Sequence, residues 1–289
     1  MKSGSATWVW ATWCLLACGC TALAGLDKPY HLAPGAGTGG DDPGGGGAGG
    51  GPPVDCGEEA SSGCVYARCG DVPASAPGGA YTLDLDGDGP EEPLQVYCSE
   101  PTDGDGDRWA LVYSSVGATD GATLAFWKIL YDDRLTAKGE PSIDGNHYQP
   151  SLYVAGREYR DEVEDIAGTV AEVMRATAEG IETEDMHLLT PIRVAGDSNL
   201  FDWQFGTGWA SADFDRDTKG DGNCSSAYAG VTQHYGNCFV YNLGADDDEP
   251  IADEGWGPHM ETTVATSYGL SDDGSVYTRV QRISRWTRW

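Results

Sequence analysis

Asp213-Phe-Asp215-Arg-Asp217-Thr-Lys219-Gly-Asp-Gly222-Asn-Cys224 places three aspartates at alternate positions, then two glycines, then a cysteine. Alternate carboxylates converge on one centre when the chain curls, and glycine permits the curl. Calcium is a hard cation that takes about six to eight oxygens from carboxylates and backbone carbonyls. The segment therefore reads as a calcium loop, with a solvent-facing acidic turn as the alternative. Tyr235-Gly-Asn237-Cys238 follows it. From residue 199 to 257 the chain is rich in Gly, Asp and aromatic residues without clear periodicity. Such a stretch must be held by side-chain contacts, bridges or metal rather than by a regular ladder.

Elements with recognisable periods lie on either side. Ala80–Leu85, Leu94–Cys98 and Trp109–Ser114 are predicted strands. Val163, Ile166, Val170, Met174 and Ala178 recur at steps of three and four. That spacing predicts a helix over Glu158–Glu179, with Gly180 as its stop. Met186–Val194 is predicted to be extended. Ser275–Trp289 alternates and reads as a terminal strand carrying Arg279, Arg282, Arg285 and Arg288. The fold class is α+β, with mixed small sheets, one clear helix and an irregular loop region. Asp84-Leu-Asp86-Gly-Asp88 and Asp103-Gly-Asp105-Gly-Asp107 have the start of a calcium-loop spacing. Neither has the glutamate and helix that would complete an EF-hand. They read as hairpin turns, with weak calcium sites as the alternative.

The chain opens with Lys2 and a short apolar run, Trp8 to Ala17, of signal-peptide length. Leu15-Leu16-Ala17-Cys18 looks like a lipobox, which makes Cys18 the lipidated residue. Cys20 is a second candidate, and ordinary cleavage after Ala24 a third reading. Residues 1–24 are thus read as a leader and 25–53 as a Gly/Pro-rich tether. The tether has nothing apolar to bury against its ordering entropy. Residues 54–68 form a small cysteine-containing segment, and 69–289 the main domain. The expected location is the cell envelope, at the outer membrane or cell surface, held by the lipid anchor. The net charge of −29 argues against nucleic acid as a partner.

Six cysteines follow the leader: Cys56, Cys64, Cys69, Cys98, Cys224 and Cys238. An even count in an exported chain reads as disulfides, and their pairing is open from the count alone. Zinc is the rival reading, but no Cys-x-x-Cys pair occurs and the histidines are scattered.

Two segments resemble the fibrinogen C-terminal-like domain of fibrinogen chains, ficolins and tachylectins. The first runs Cys69-Gly-Asp-Val, Gly79-Ala-Tyr81-Thr-Leu, Pro93-Leu-Gln-Val96-Tyr97-Cys98, then Thr102-Asp-Gly104 and Trp109-Ala-Leu-Val112. The second runs from Asp213 through Cys224, then Tyr228-Ala-Gly230, Tyr235-Gly-Asn237-Cys238 and Asn242-Leu243-Gly244. The resemblance implies the pairs Cys69–Cys98 and Cys224–Cys238, leaving Cys56 and Cys64 to pair locally. It implies Asp215 and Asp217 as side-chain calcium ligands, with carbonyls near Lys219 and Gly222 completing the shell. Asp213 can replace or supplement Asp215, because the spacing to Cys224 carries one extra residue. It also implies a pocket for acetylated sugars formed by His234, Tyr235, Asn237, Cys238 and Tyr241, aimed by a strained Asn237–Cys238 peptide. Two departures stand out: Asp105-Gly-Asp-Arg-Trp109 replaces a Gly-Gly-Trp turn, and Thr232-Gln-His234-Tyr235 replaces paired tryptophans.

The expected function is calcium-dependent recognition of carbohydrate. The alternative is a protein-binding adhesin or structural envelope lipoprotein, engaging a cell-surface protein, in which calcium only stabilises the loop. No nucleophile-and-base motif occurs, so an enzyme is not expected.

Overall fold

The computed structural model describes Cys56 and residues 63–289, apart from residue 88 and residues 102–106, 118–120, 183–185, 197–199, 201–203, 205–206, 245–256 and 273–275. All of these belong to the second of the chain's two units, Pro52–Trp289. The leader, Cys18, the tether, Thr102-Asp-Gly104 and most of the second Asp-Gly stretch lie outside the described residues. No helix among the described residues is long and apolar enough to cross a membrane.

The molecule is mostly sheet, with a few short helices. The strands are β1 (Val65–Tyr66), β2 (Gly79–Leu83), β3 (Leu94–Cys98), β4 (Ala110–Val116), β5 (His147–Tyr148), β6 (Arg157–Asp165), β7 (Val170–Glu182) and β8 (His187–Gly196). They continue as β9 (Trp209–Ala210), β10 (Gln233–His234), β11 (Tyr241–Asn242), β12 (His259–Glu261) and β13 (Tyr277–Arg288). The short helices Ala122–Trp127, Cys224–Ala227 and Thr262–Ser267 cap loops. The main sheet runs β1-β2-β3-β4-β13-β6-β7-β8, with β5, β11 and β12 attached, and β9 pairs with β10 apart from it. The expectation of several small sheets is thus corrected to one large sheet and a two-stranded one. The last strand sits in the middle, antiparallel to both β4 and β6.

The expected helix over Glu158–Glu179 is instead the β6–β7 hairpin. Arg157, Tyr159, Asp161, Val163 and Asp165 are buried at period two; on the alternate positions Glu158, Glu162 and Glu164 are half-buried and Arg160 is buried beside Trp109. The spacing that looked helical joined residues of two strands across a turn. Ile166 and Val170, which carried it, are 62% and 50% exposed beside that turn. Asp165 builds the turn: its Oδ1 accepts from Ala167 N at 2.9 Å and Thr169 N at 2.8 Å. Gly168 adopts φ +85° there, which glycine does without a Cβ penalty. The strands expected near 80–85, 94–98, 109–114, 186–194 and 275–289 are all present, within a few residues at their ends.

Three disulfides form. Cys56–Cys64, Cys69–Cys98 and Cys224–Cys238 have Cα separations of 5.5, 5.4 and 5.2 Å. Each stabilises the fold by about 2–4 kcal/mol, chiefly by restricting the unfolded chain.

The core holds an ion pair. Arg285 on β13 lies directly opposite Asp161 on β6. Its Nε donates to Asp161 Oδ1 at 2.7 Å and its Nη2 to Oδ2 at 2.8 Å, and both side chains are fully buried. Burial alone would lower the guanidinium's pKa; Asp161 and the surrounding tyrosine oxygens hold it well above its ordinary value. Tyr113, Tyr153 and Tyr241 lie against the pair, in a core that also holds Tyr148, Tyr159, Trp127 and Trp209. Tyr148 stacks on Trp209 at 5.1 Å with an interplanar angle of 7°.

Replacing Asp161 by Asn leaves the Arg285 charge buried without its counter-ion. The expected loss is about 3–5 kcal/mol in urea unfolding. Replacing both residues with apolar ones is expected to cost much less than the sum of the single changes.

His147 supplies a pH test. It is 2% exposed, its Nδ1 faces Gly139 O at 3.4 Å, and its Nε2 has no hydrogen-bond partner among the described residues. Burial lowers its pKa from 6.5 to about 4. The native ring stays neutral while the unfolded chain takes up a proton below 6.5. This contribution is therefore whole above pH 6.5 and is lost as pH falls towards 4. His147→Gln should flatten the slope of stability against pH in that window by up to about 1.4 kcal/mol per pH unit.

Candidate functional site

The Asp213–Cys224 segment begins in a tight turn. Ser211 N donates to Phe214 O at 3.0 Å and Phe214 N to Ser211 O at 3.2 Å. Asp213 is turned onto this frame: its Oδ1 accepts from Ser211 Oγ at 2.7 Å and from Tyr131 N at 3.1 Å. The Ser211 hydrogen bond, and then that of Tyr131, hold its carboxyl below the usual carboxylate range against the opposing effect of burial. Asp213 thus fastens the loop to the Tyr131 segment.

Asp215 and Asp217 behave differently. Asp217 accepts from Lys219 N at 2.8 Å and from Cys224 N at 2.6 Å, so its carboxylate bends the loop around itself. Asp215 Oδ1 accepts from Asp217 N at 3.1 Å. Burial and the neighbouring Asp215 carboxylate both push the Asp217 carboxyl up, against its backbone hydrogen bonds. Two interacting carboxylates in one bend are a donor set that fits a hard divalent cation. Among the described residues no group of three or more His, Cys, Asp or Glu side chains is placed to hold a metal. A calcium ion here would therefore take Asp215, Asp217 and backbone carbonyls such as those of Lys219 and Gly222. When bound it would supply positive charge that offsets the Asp215–Asp217 repulsion.

The loop ends at a well-made cap. Asn223 Oδ1 accepts from Ser226 N at 2.8 Å, starting the helix Cys224–Ala227, while its Nδ2 donates to Ser211 O at 2.8 Å. Thr218 N donates to Gly236 O at 3.2 Å and Gly236 N to Cys238 O at 3.1 Å. The loop is thereby joined to the turn at Cys238, which adopts φ +65°. A left-handed cysteine costs about 1–2 kcal/mol, and the Cys224 bridge holds it in place. Asn237 stands exposed at the tip of this turn.

The other residues implied as a sugar pocket sit inside. His234, Tyr235 and Tyr241 are 2%, 0% and 1% exposed. His234 Nδ1 accepts from Arg285 Nη1 at 3.1 Å, which leaves Nε2–H to donate to Met186 O at 3.0 Å. Tyr241 Oη donates to Asp161 Oδ2 at 2.7 Å. Tyr235 Oη donates to Val231 O at 2.9 Å. Gln204 completes the layer, its Oε1 accepting from Val240 N at 2.7 Å. His234 and Tyr241 thus join the Arg285 network behind the turn, Tyr235 packs beside the Cys224–Cys238 bridge, and Asn237 alone of the five faces solvent.

The sequence reading passed over two groups. Asp161, Arg285 and Gln204 form the buried network; the only signal was the charge of Arg285 within an alternating strand. Arg134, Tyr131, Phe214 and Arg216 form a stack beside the loop, and the signal was Phe214 and Arg216 lying between the aspartates. No protein-family model matches the chain, and no curated protein matches it.

Asp213→Ala separates fastening from metal binding. It should lower the melting temperature by a few degrees, equally in calcium and in chelator, as read by calorimetry. A loss confined to calcium would make Asp213 a ligand.

Proposed function

We propose that the chain is an exported, lipid-anchored recognition module of the divergent fibrinogen-like kind, which binds calcium at Asp215 and Asp217 and carbohydrate beside it. The observation that carries the reading is the pair of interacting carboxylates in a bend tied to the Cys224–Cys238 turn. The pairing of all six cysteines supports it, because two of the three bridges are those that the resemblance implies. Cys18 is the proposed lipid attachment, and the tether holds the domain off the outer membrane. Binding rather than catalysis is the proposed activity.

In this reading Asn237 and the Cys238 backbone form the contact surface, and His234, Tyr235 and Tyr241 fix the turn from behind. A second reading is favoured by the burial of those three residues: a protein-binding adhesin or structural lipoprotein in which calcium only orders the loop.

Thermal unfolding in calcium and in chelator tests the metal. At a hundredfold excess over Kd, calcium adds about 2.7 kcal/mol, which is about 5–10 °C for a domain of this size. Asp217→Ala should abolish that increment; equal melting temperatures for the wild type would end the calcium reading. A glycan array with and without chelator then separates the two functions. Calcium-dependent retention of sugars supports the lectin. Silence across the array, with capture of an envelope protein that sugars do not compete, supports the adhesin.

A further inference from the structure

We draw no further inference here: the strongest candidate, the Asp84–Asp86 turn between β2 and β3, where Oδ1 of each carboxylate is buried without a hydrogen-bond partner among the described residues, is an acidic cluster of only half-buried side chains, and no second, independent feature of the turn points to a bound cation.

Discussion

The pairing of Arg285 with Asp161 is the constraint that the rest of the molecule satisfies. A guanidinium and a carboxylate, both fully buried, must have each other and must have their remaining hydrogen bonds met. Arg285 also donates to Gln204 O at 2.9 Å, to Tyr241 Oη at 3.1 Å and to Tyr153 Oη at 3.3 Å. Tyr241 Oη lies 2.7 Å from Tyr113 Oη. The network thus ties β13 to β6, β4, β10, β11 and the segments of Tyr153 and Gln204. A buried pair adds little net stability, but it penalises error. Slipping β13 by one residue would turn Arg285 to the other face and leave Asp161 buried alone. Arg282 and Arg288, each three positions from Arg285, fall on the other face of the strand, opposite Glu164 and Glu158.

The opposite face shows the consequence. Arg288 Nε donates to Glu158 at 2.7 Å and Arg282 pairs with Glu164 at 2.7 Å, both across the β13–β6 seam. Arg160 and Arg288 lie 4.4 and 4.5 Å from the ring centre of Trp109. These partly exposed pairs are individually weak. Together they repeat the same register message as the core pair. Because β13 lies between β4 and β6, both more than a hundred residues upstream, the middle of the sheet closes only when this strand arrives. Such long-range pairing makes for slow folding, and three disulfides that restrict the unfolded chain suit it.

The strands were legible where one face met solvent and the other the core, as in β2 and β3. The hairpin of β6 and β7 was not, because its inner face includes Asp161 and Asp165, which a hydrophobic pattern counts as polar. Arg157 and Arg285 hid the inner face in the same way. A pattern of apolar residues cannot register a buried charge, since its burial depends on a partner more than a hundred residues away. The pairing of the cysteines was legible only through a resemblance, and the geometry independently gives the same pairs. Asp215 and Asp217 were legible from alternation, but Asp213 was not separable from them. Its role is fixed by Tyr131, 82 positions away. His234 and Tyr241 looked like contact residues because aromatic side chains near a cysteine suit either a pocket or a core. What places them in the core is the need of Arg285 for acceptors.

That need divides the loop region into two layers with different work. The inner layer of His234, Tyr241 and Gln204 has its polar atoms committed to Arg285, Asp161 and the backbone, so it gives rigidity and offers no ligand chemistry. The outer layer inherits that rigidity. The bend of Asp215 and Asp217 is tied through Thr218 to Gly236, and Gly236 sits two residues from buried His234. Carboxylates in such a fixed bend cannot relax apart, which is why burial and mutual repulsion persist at Asp217. In a chain of net charge −29, most arginines of β6, β7 and β13 are engaged within the sheet.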